Sequence, residues 1–311
     1  MKISNGVKKK IIFSTIFILF FGLFFLWQGI YLSKNPFSEK EVIFNVEKGQ
    51  NLFQIGENLE KEGLIKNKFF FDFYLFLKGA QKKLQAGEYL ISPSEGIAEV
   101  AKKIISGDTA RISVTIPEGF TVKQIEEKLN LKLPGENLEG FLFPDTYQFP
   151  LRVSGEEVVK KMRDNFEKKL TLDLREEIER QEKTIFEIIT MASLIEKEVK
   201  TKEDKEMVSG ILWKRLKNNI PLQVDATITY LTGKKTTKIP LEDLQIDSPY
   251  NTYKYKGLPL GPICNPGLDS IKAAIYPKNS EYWYYLSTPE GETIFSKTLE
   301  EHNIAQAKYL K

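Results

Sequence analysis

From Ile11 to Ile30 the chain reads IIFSTIFILFFGLFFLWQGI, twenty residues without a charge. A helix rises about 1.5 Å per residue, so this run matches the roughly 30 Å hydrocarbon core of a bilayer. Lys8, Lys9 and Lys10 precede it, and Trp27 and Tyr31 stand at its far end as interfacial anchors. The positive-inside bias then predicts a cytoplasmic tail over 1–10, a transmembrane helix over 11–32, and the rest of the chain outside the plasma (inner) membrane. A cleaved signal peptide would have a shorter apolar region of about 7–15 residues and a small-x-small cleavage site. Gly29-Ile30-Tyr31 is a poor site of that kind. The reading is a single-pass protein with a large extracytoplasmic body.

Charge follows the same division. Residues 1–33 hold Lys2, Lys8, Lys9 and Lys10 and no acid, whereas 34–311 carries 41 basic and 42 acidic side chains. The net +3 therefore sits in the leader. A nucleic-acid binder shows a basic patch on its folded part, so no nucleic-acid partner is expected. One Cys and one His in 311 residues exclude a disulfide framework and the usual zinc motifs, so no metal is expected. Neither Gly-x-Gly-x-x-Gly nor a phosphate-binding Gly-x-x-x-x-Gly-Lys-[Ser/Thr] run occurs, and no cofactor is expected. Acid–base chemistry must rest on carboxylates, lysines or tyrosines.

After the apolar run, Val42–Val46 alternates like a strand, and Gly49-Gln50-Asn51 turns into a helix with Leu52, Ile55 and Leu59 inward and Gly63 at its end. A second helix is expected at Lys68–Lys78, and Gly87–Ile91 reads as a returning strand. This strand–helix–helix–strand order resembles the LysM module, a small glycan-binding unit, and predicts such a subdomain over 40–108. Shifted by seventy residues, Val46, Gly49, Asn51, Gln54, Ile55, Glu57 and Leu59 correspond to Ile116, Gly119, Thr121, Gln124, Ile125, Glu127 and Leu129. A related strand–helix linker unit is therefore expected over 109–150. Neither copy is expected to carry chemistry; both read as substrate-positioning or spacer units.

Thr184-Ile-Phe-Glu187 is a capping box opening a helix in which Ile185, Ile188, Ile189, Ala192, Ile195 and Val199 form one apolar stripe. Glu196 falls inside that stripe, and Glu187 and Glu198 fall on the outer, solvated face. Desolvation favours a protonated carboxyl, which is what a general acid needs to protonate a leaving oxygen. Two readings fit Glu196: such an acid, or a structural carboxylate pairing with Arg215 on the next helix, Glu203–Leu216. In Ile220–Asp225, Gln223 and Asp225 share a side if the segment is extended. Asp225 reads as an N-cap for Ala226–Leu231 or as a second carboxylate.

Ser248–Gly267 has neither helical nor strand periodicity, but four prolines and three glycines stiffen it into a defined path. Tyr250, Asn251, Thr252, Tyr253, Tyr255 and Asn265 supply stacking faces and hydrogen-bonding groups suited to sugars, and long ordered loops of this kind tend to be functional. Beyond it come a capped helix at Asp269–Tyr276 and a hairpin of Tyr282–Ser287 with Thr293–Phe295, whose aromatics are read as core. His302 and Asn303, in a final helix, read as surface residues or as the edge of a site.

The run Ala192-Ser-Leu-Ile-Glu196-Lys-Glu198 resembles the signature of the YceG-like family of endolytic murein transglycosylases. The likeness continues in Leu222–Asp225, Tyr250–Tyr253, Gly257–Pro262, Asn265–Gly267 and Glu301–Asn303, and upstream in Glu139-Gly-Phe-Leu-Phe-Pro-Asp-Thr-Tyr147. Cys264 is not part of that pattern. The resemblance implies an α+β chain whose mixed α/β catalytic domain spans 151–311. It implies a lyase that cuts the MurNAc–GlcNAc bond of nascent peptidoglycan strands and leaves 1,6-anhydro ends, terminating their elongation. Its implied partners are glycan strands, the plasma membrane, and peptidoglycan synthases or the division and elongation machinery. In this resemblance the catalytic glutamate falls on Glu196, with Gln223, Asp225, Tyr250, Asn251, Thr252, Tyr253 and Asn265 as cleft residues. Two alternatives stay open: a muramidase that hydrolyses the same bond with Asp225 as partner carboxylate, and a non-catalytic glycan-binding scaffold.

Overall fold

The computed structural model describes residues 5–234 and 239–310. Residues 1–4 of the expected cytoplasmic tail, Lys2 among them, lie outside the described residues, as does the side chain of Lys8. The chain divides into two compact units: 1–112 with 148–152, and 113–147 with 153–311. The expected boundaries therefore move. Most of the supposed linker over 109–150 belongs to the same unit as 153–311.

In the first unit, α1 (Asn5–Tyr31) begins six residues before the apolar run, because lysines are good helix formers and nothing there stops the helix. Its Lys9–Tyr31 portion, 23 residues of mean hydropathy 2.2, is long and apolar enough to cross a membrane. Next come β1 (Val42–Val46), α2 (Leu52–Lys61), α3 (Lys68–Leu77), β2 (Gly87–Ile91) and α4 (Ile97–Ser106). β1 and β2 pair antiparallel with Phe44 opposite Tyr89, both fully buried. This register puts the alternate residues of both strands into one core with Leu52, Ile55 and Leu59 of α2. Residues 97–106, unassigned from sequence, form α4, which starts at Gly96 and stops at left-handed Gly107.

β3 (Arg111–Thr115) pairs with β4 (Thr146–Pro150), and the chain passes from one unit to the other within each of these strands. Between them α5 (Val122–Leu129) repeats the local design of α2. Each helix follows a glycine with positive φ, Gly49 at 92° and Gly119 at 75°. Each opens on a reciprocal capping box, Asn51 with Gln54 and Thr121 with Gln124. The correspondence in sequence is thus matched in geometry.

The second unit continues with α6 (Gly155–Lys169), α7 (Leu172–Arg180), α8 (Ile185–Glu198), α9 (Lys202–Lys217), α10 (Asp225–Thr232), α11 (Leu268–Ile275), the antiparallel hairpin β5 (Tyr284–Ser287) and β6 (Thr293–Ser296), and α12 (Leu299–Tyr309). Residues 251–267 run without helix or strand, as expected. α8 is the central element: Ile188 through Ile195 are all buried, and it packs on α9 and α11. Its burial extends round the helix rather than along one stripe.

Candidate active site

The two glutamates at the end of α8 have different partners. Glu196 accepts from the backbone N–H of Gly267 at 3.0 Å and from the Ser270 hydroxyl at 2.6 Å, at the start of α11. It also pairs with Lys205 of α9 at 3.3 Å, and both side chains are under a tenth exposed. A helix N-terminus, a hydroxyl and an ammonium together serve an anion. The expected apolar setting is absent, and the pairing with Arg215 does not form. Arg215 instead donates to Leu222 O and Gln223 Oε1, each at 3.0 Å. Glu196 ties three helices together.

Glu198 lies on the wall of a cavity of about 1270 Å³. Its expected place on a solvated face is wrong, because β5 and α10 cover it. The Tyr285 hydroxyl donates to Glu198 Oε2 at 3.1 Å, and Ser287 donates to its main-chain carbonyl at 3.1 Å. Burial pushes the Glu198 carboxyl up to about 7, and the Asp225 charge adds to the rise; the Tyr285 hydroxyl and the Ala226 N–H act against it. A carboxyl poised near neutrality, with one hydroxyl contact and an open side, can give and retake a proton. Helix periodicity gave no sign of this, since the covering elements come from residues 225–287.

Glu139, within the Glu139–Tyr147 motif, is a second carboxylate on the cavity wall. It accepts from Val122 N–H at 3.1 Å and from Asn265 Nδ2 at 3.1 Å. Burial pushes its carboxyl up to about 7, against the Val122 N–H and the Lys197 charge. The adjoining Gly140 has φ 88°, and a Cβ there would come within 2.6 Å of Pro262. Glycine is thus required beside Glu139 for the loop to close on Pro262. Thr121, Lys123, Gln124 and Glu127 also line the cavity, so the second strand–helix unit contributes to the walls of the site.

The expected cleft residues separate into two groups. Gln223, Asp225 and Tyr253 line the cavity. Asp225 is the first residue of α10 rather than its N-cap, and its carboxylate accepts from the Tyr253 hydroxyl. Tyr250 stacks at a tilt on Tyr230, a cavity residue, with ring centres 5.2 Å apart. Asn251, Thr252 and Asn265 are fully enclosed, at most 1% exposed. Asn251 holds Leu244 O and Ile246 O, Thr252 Oγ1 accepts from Val224 N–H, and Asn265 receives Leu142 N–H and donates to Phe120 O. Asn251 and Thr252 hold the loop in shape rather than face the cavity, whereas Asn265 also donates to the cavity carboxylate Glu139. Tyr284 and Tyr285 face the cavity, with Tyr285 also packed against the core as expected, and so does His302, which stacks on Tyr284 at 5.2 Å. Cys264 is buried and donates to Ser193 O. Among the described residues no His, Cys, Asp and Glu cluster could hold a metal.

These arrangements can be set beside known proteins. A model of the YceG-like family matches residues 44–308. An endolytic murein transglycosylase of Bacillus subtilis (strain 168) is 33% identical over 314 residues, covering 88% of this chain and 86% of that protein. Another, of Streptococcus pneumoniae (strain ATCC BAA-255 / R6), is 30% identical over 363 residues, covering 97% of this chain and 66% of that protein. The crystal structure of a YceG-like protein from Listeria monocytogenes aligns with a TM-score of 0.59 at 32% identity, covering 86% of this chain and 100% of that one. By the extent of the family match and the identity to these relatives, this chain belongs to the YceG-like family.

Proposed function

We propose that the protein is a membrane-anchored peptidoglycan lytic transglycosylase, a lyase, in which Glu198 rather than Glu196 is the acid and base. Two relatives named endolytic murein transglycosylases support the reaction class. The observation that carries the residue assignment is the Glu198 carboxyl on the cavity wall, pushed up to about 7. The protonated Glu198 gives its proton to the oxygen between MurNAc and GlcNAc as that glycosidic bond breaks. The resulting carboxylate then takes the proton of the muramic C6 hydroxyl, whose oxygen closes on C1 to form the 1,6-anhydro ring. The proton is returned to Glu198, and no water is consumed.

Because an internal hydroxyl is the nucleophile, a second carboxylate to activate water is unnecessary, in contrast to hydrolytic glycosidases. Asp225 acts as a fixed negative neighbour that keeps Glu198 protonated, and its bond from Tyr253 holds it there. Tyr284, Tyr253 and His302 offer ring faces to the sugars, while Glu139, Lys197 and Gln223 offer polar contacts. Asn251, Thr252 and Asn265 act by shaping the loop. The Lys9–Tyr31 helix anchors the chain in the plasma membrane with its N-terminus in the cytoplasm. The strand–helix–helix–strand segment of the first unit serves as a LysM-like glycan guide. The enzyme cuts nascent strands internally, ending their growth beside the synthases that make them.

The test is product analysis on purified full-length protein with glycan strands as substrate. Mass spectrometry should find anhydro ends, one water lighter than reducing ends, from wild type and Glu196→Gln but not from Glu198→Gln. Reducing ends alone would reject the lyase in favour of the muramidase. Undiminished cleavage by Glu198→Gln would reject the assignment, and no cleavage by wild type would favour the scaffold.

A further inference from the structure

We propose that α3 is a second membrane contact: its phenylalanine-rich face lies in the outer interfacial layer of the bilayer that α1 crosses, among anionic headgroups. The inference rests on the reading of α1 as membrane-spanning. α3 reads KFFFDFYLFL, and Phe69, Phe76 and Leu77 are 57%, 70% and 64% exposed. Clustered large apolar side chains left in water mark an interaction surface.

The position of α3 beside α1 identifies the partner. The Phe70 ring packs on Phe25 of α1 with centres 5.3 Å apart. It also presses on Gly29 so closely that a Cβ there would sit 2.4 Å from the ring. Both α1 residues belong to the apolar run itself. Phe25 lies six residues before the end of α1 at Tyr31, about 9 Å down the helix at 1.5 Å per residue. A helix docked at that level cannot stand clear of the bilayer that the run occupies. The aromatic contact continues outward, from Phe70 to Phe69 at 5.6 Å and from Phe69 to Phe73 at 6.0 Å. A second contact fixes the unit on the helix end, since a Cβ on Gly96 would meet the Tyr31 carbonyl at 2.7 Å.

Charge fits a lipid surface as well. Residues 64–86 contain Lys66, Lys68, Lys78, Lys82 and Lys83, all exposed, with Lys68 paired to Glu57 of α2 at 3.6 Å, and a single acid, Asp72. Asp72 faces Gly56 of α2, where its Oδ1 would be 2.9 Å from a Cβ, so the acid is turned inward. An apolar helix flanked by lysines, whose stems can lie along lipid tails while the ammonium groups reach phosphates, is the composition of an interfacial element. The first unit would thus be held against the membrane at two points, which limits how freely it can pivot about α1.

The experiment uses the full chain with Cys264→Ser, so that single cysteines can be spin-labelled, in nanodiscs of phosphatidylcholine with phosphatidylglycerol. Labels go at Phe76→Cys and Leu77→Cys, with Leu19→Cys in α1 and Lys102→Cys on α4 as references. The expected result is that positions 76 and 77 are open to oxygen and shielded from a water-soluble nickel chelate, as position 19 is, whereas 102 is open to the chelate. Omitting phosphatidylglycerol should raise chelate access at 76 and 77 and leave 19 unchanged. If 76 and 77 read as water while 19 reads as lipid, the α3 contact is overturned and the anchor stands. If 19 reads as water, the anchor fails and this inference falls with it. Shielding of 76 and 77 from both reagents would replace lipid with a protein partner or a second copy.

Discussion

Glu196 and Glu198 leave one helix two residues apart and enter opposite environments. Around Glu196 the fold collects an ammonium, a helix N-terminus and a hydroxyl, with the Glu118 carboxylate close by. Around Glu198 it collects a tyrosine hydroxyl, a neighbouring carboxylate and a cavity. The first environment surrounds the carboxylate with three donors. The second leaves the charge undersupplied, so the carboxyl holds a proton at a pH where free glutamate does not. Burial alone does not distinguish a structural acid from a reactive one. The distinction lies in what the enclosed carboxylate is given as partners.

The sharpest way to break this comparison is to neutralise each glutamate in turn. Glu198→Gln should lower the rate of anhydro-end formation by about 10²–10⁴-fold, the range for loss of a general acid and base. Glu196→Gln retains the shape and most hydrogen bonds, and should stay within about tenfold of wild type once the folded fraction is allowed for. Chromatographic quantitation of anhydro products under single-turnover conditions reads both. Equal losses would mean that the two environments are not functionally distinct.

Stability should respond in the reverse order. Lys205→Met leaves the enclosed Glu196 carboxyl without its cation, which should cost about 3–5 kcal/mol in urea denaturation. Adding Glu196→Gln to that variant should recover much of the loss, because the stranded charge disappears. No recovery would show that Lys205 acts through packing alone.

What could be read from sequence follows the reach of each signal. Capping boxes such as Thr184 with Glu187, or Thr121 with Gln124, are local, and the helices they open lie where expected. The enclosure of Glu196 also followed from helical spacing. Its partner did not: Lys205 was passed over for Arg215, because periodicity does not say which cation on the next helix comes near. Glu198 was misread for a similar reason. α8 ends there, Val199 turns extended, and the covering groups come from Asp225, Ala226 and Tyr285. The enclosed loop residues Asn251, Thr252 and Asn265 looked like sugar ligands because residue type does not tell whether an amide faces a cavity or the main chain.

Stability against pH offers a smaller and more specific contrast. The folded Glu198 carboxyl is raised from 4.5 to about 7. Between those values the unfolded chain releases the proton and the folded protein keeps it, so stability falls as pH rises through the window. About 2.5 units at about 1.4 kcal/mol each bounds the effect, and partial exposure brings it to about 2–3 kcal/mol. Glu198→Gln has no proton to lose. It should be more stable than wild type by that amount at pH 8 and equal to it near pH 4, as measured by urea midpoints. A constant difference across pH would place the effect elsewhere.

The smallest expected effects concern the groups that tune Glu198, and their opposite signs make them the most discriminating. The acid step needs the protonated carboxyl, so activity should fall as pH rises through about 7. Asp225→Asn removes a negative neighbour, which lets Glu198 ionise sooner and moves the alkaline limb to lower pH, by up to about 1 unit. Tyr285→Phe removes a donor that favours the carboxylate, and should move the same limb to higher pH by a smaller amount. Single-turnover rates from pH 5 to 9 on the three proteins read these displacements directly. Two shifts of the same sign would mean that the substitutions act through distortion of β5 and α10, and that the charge placed beside Glu198 does not set its proton.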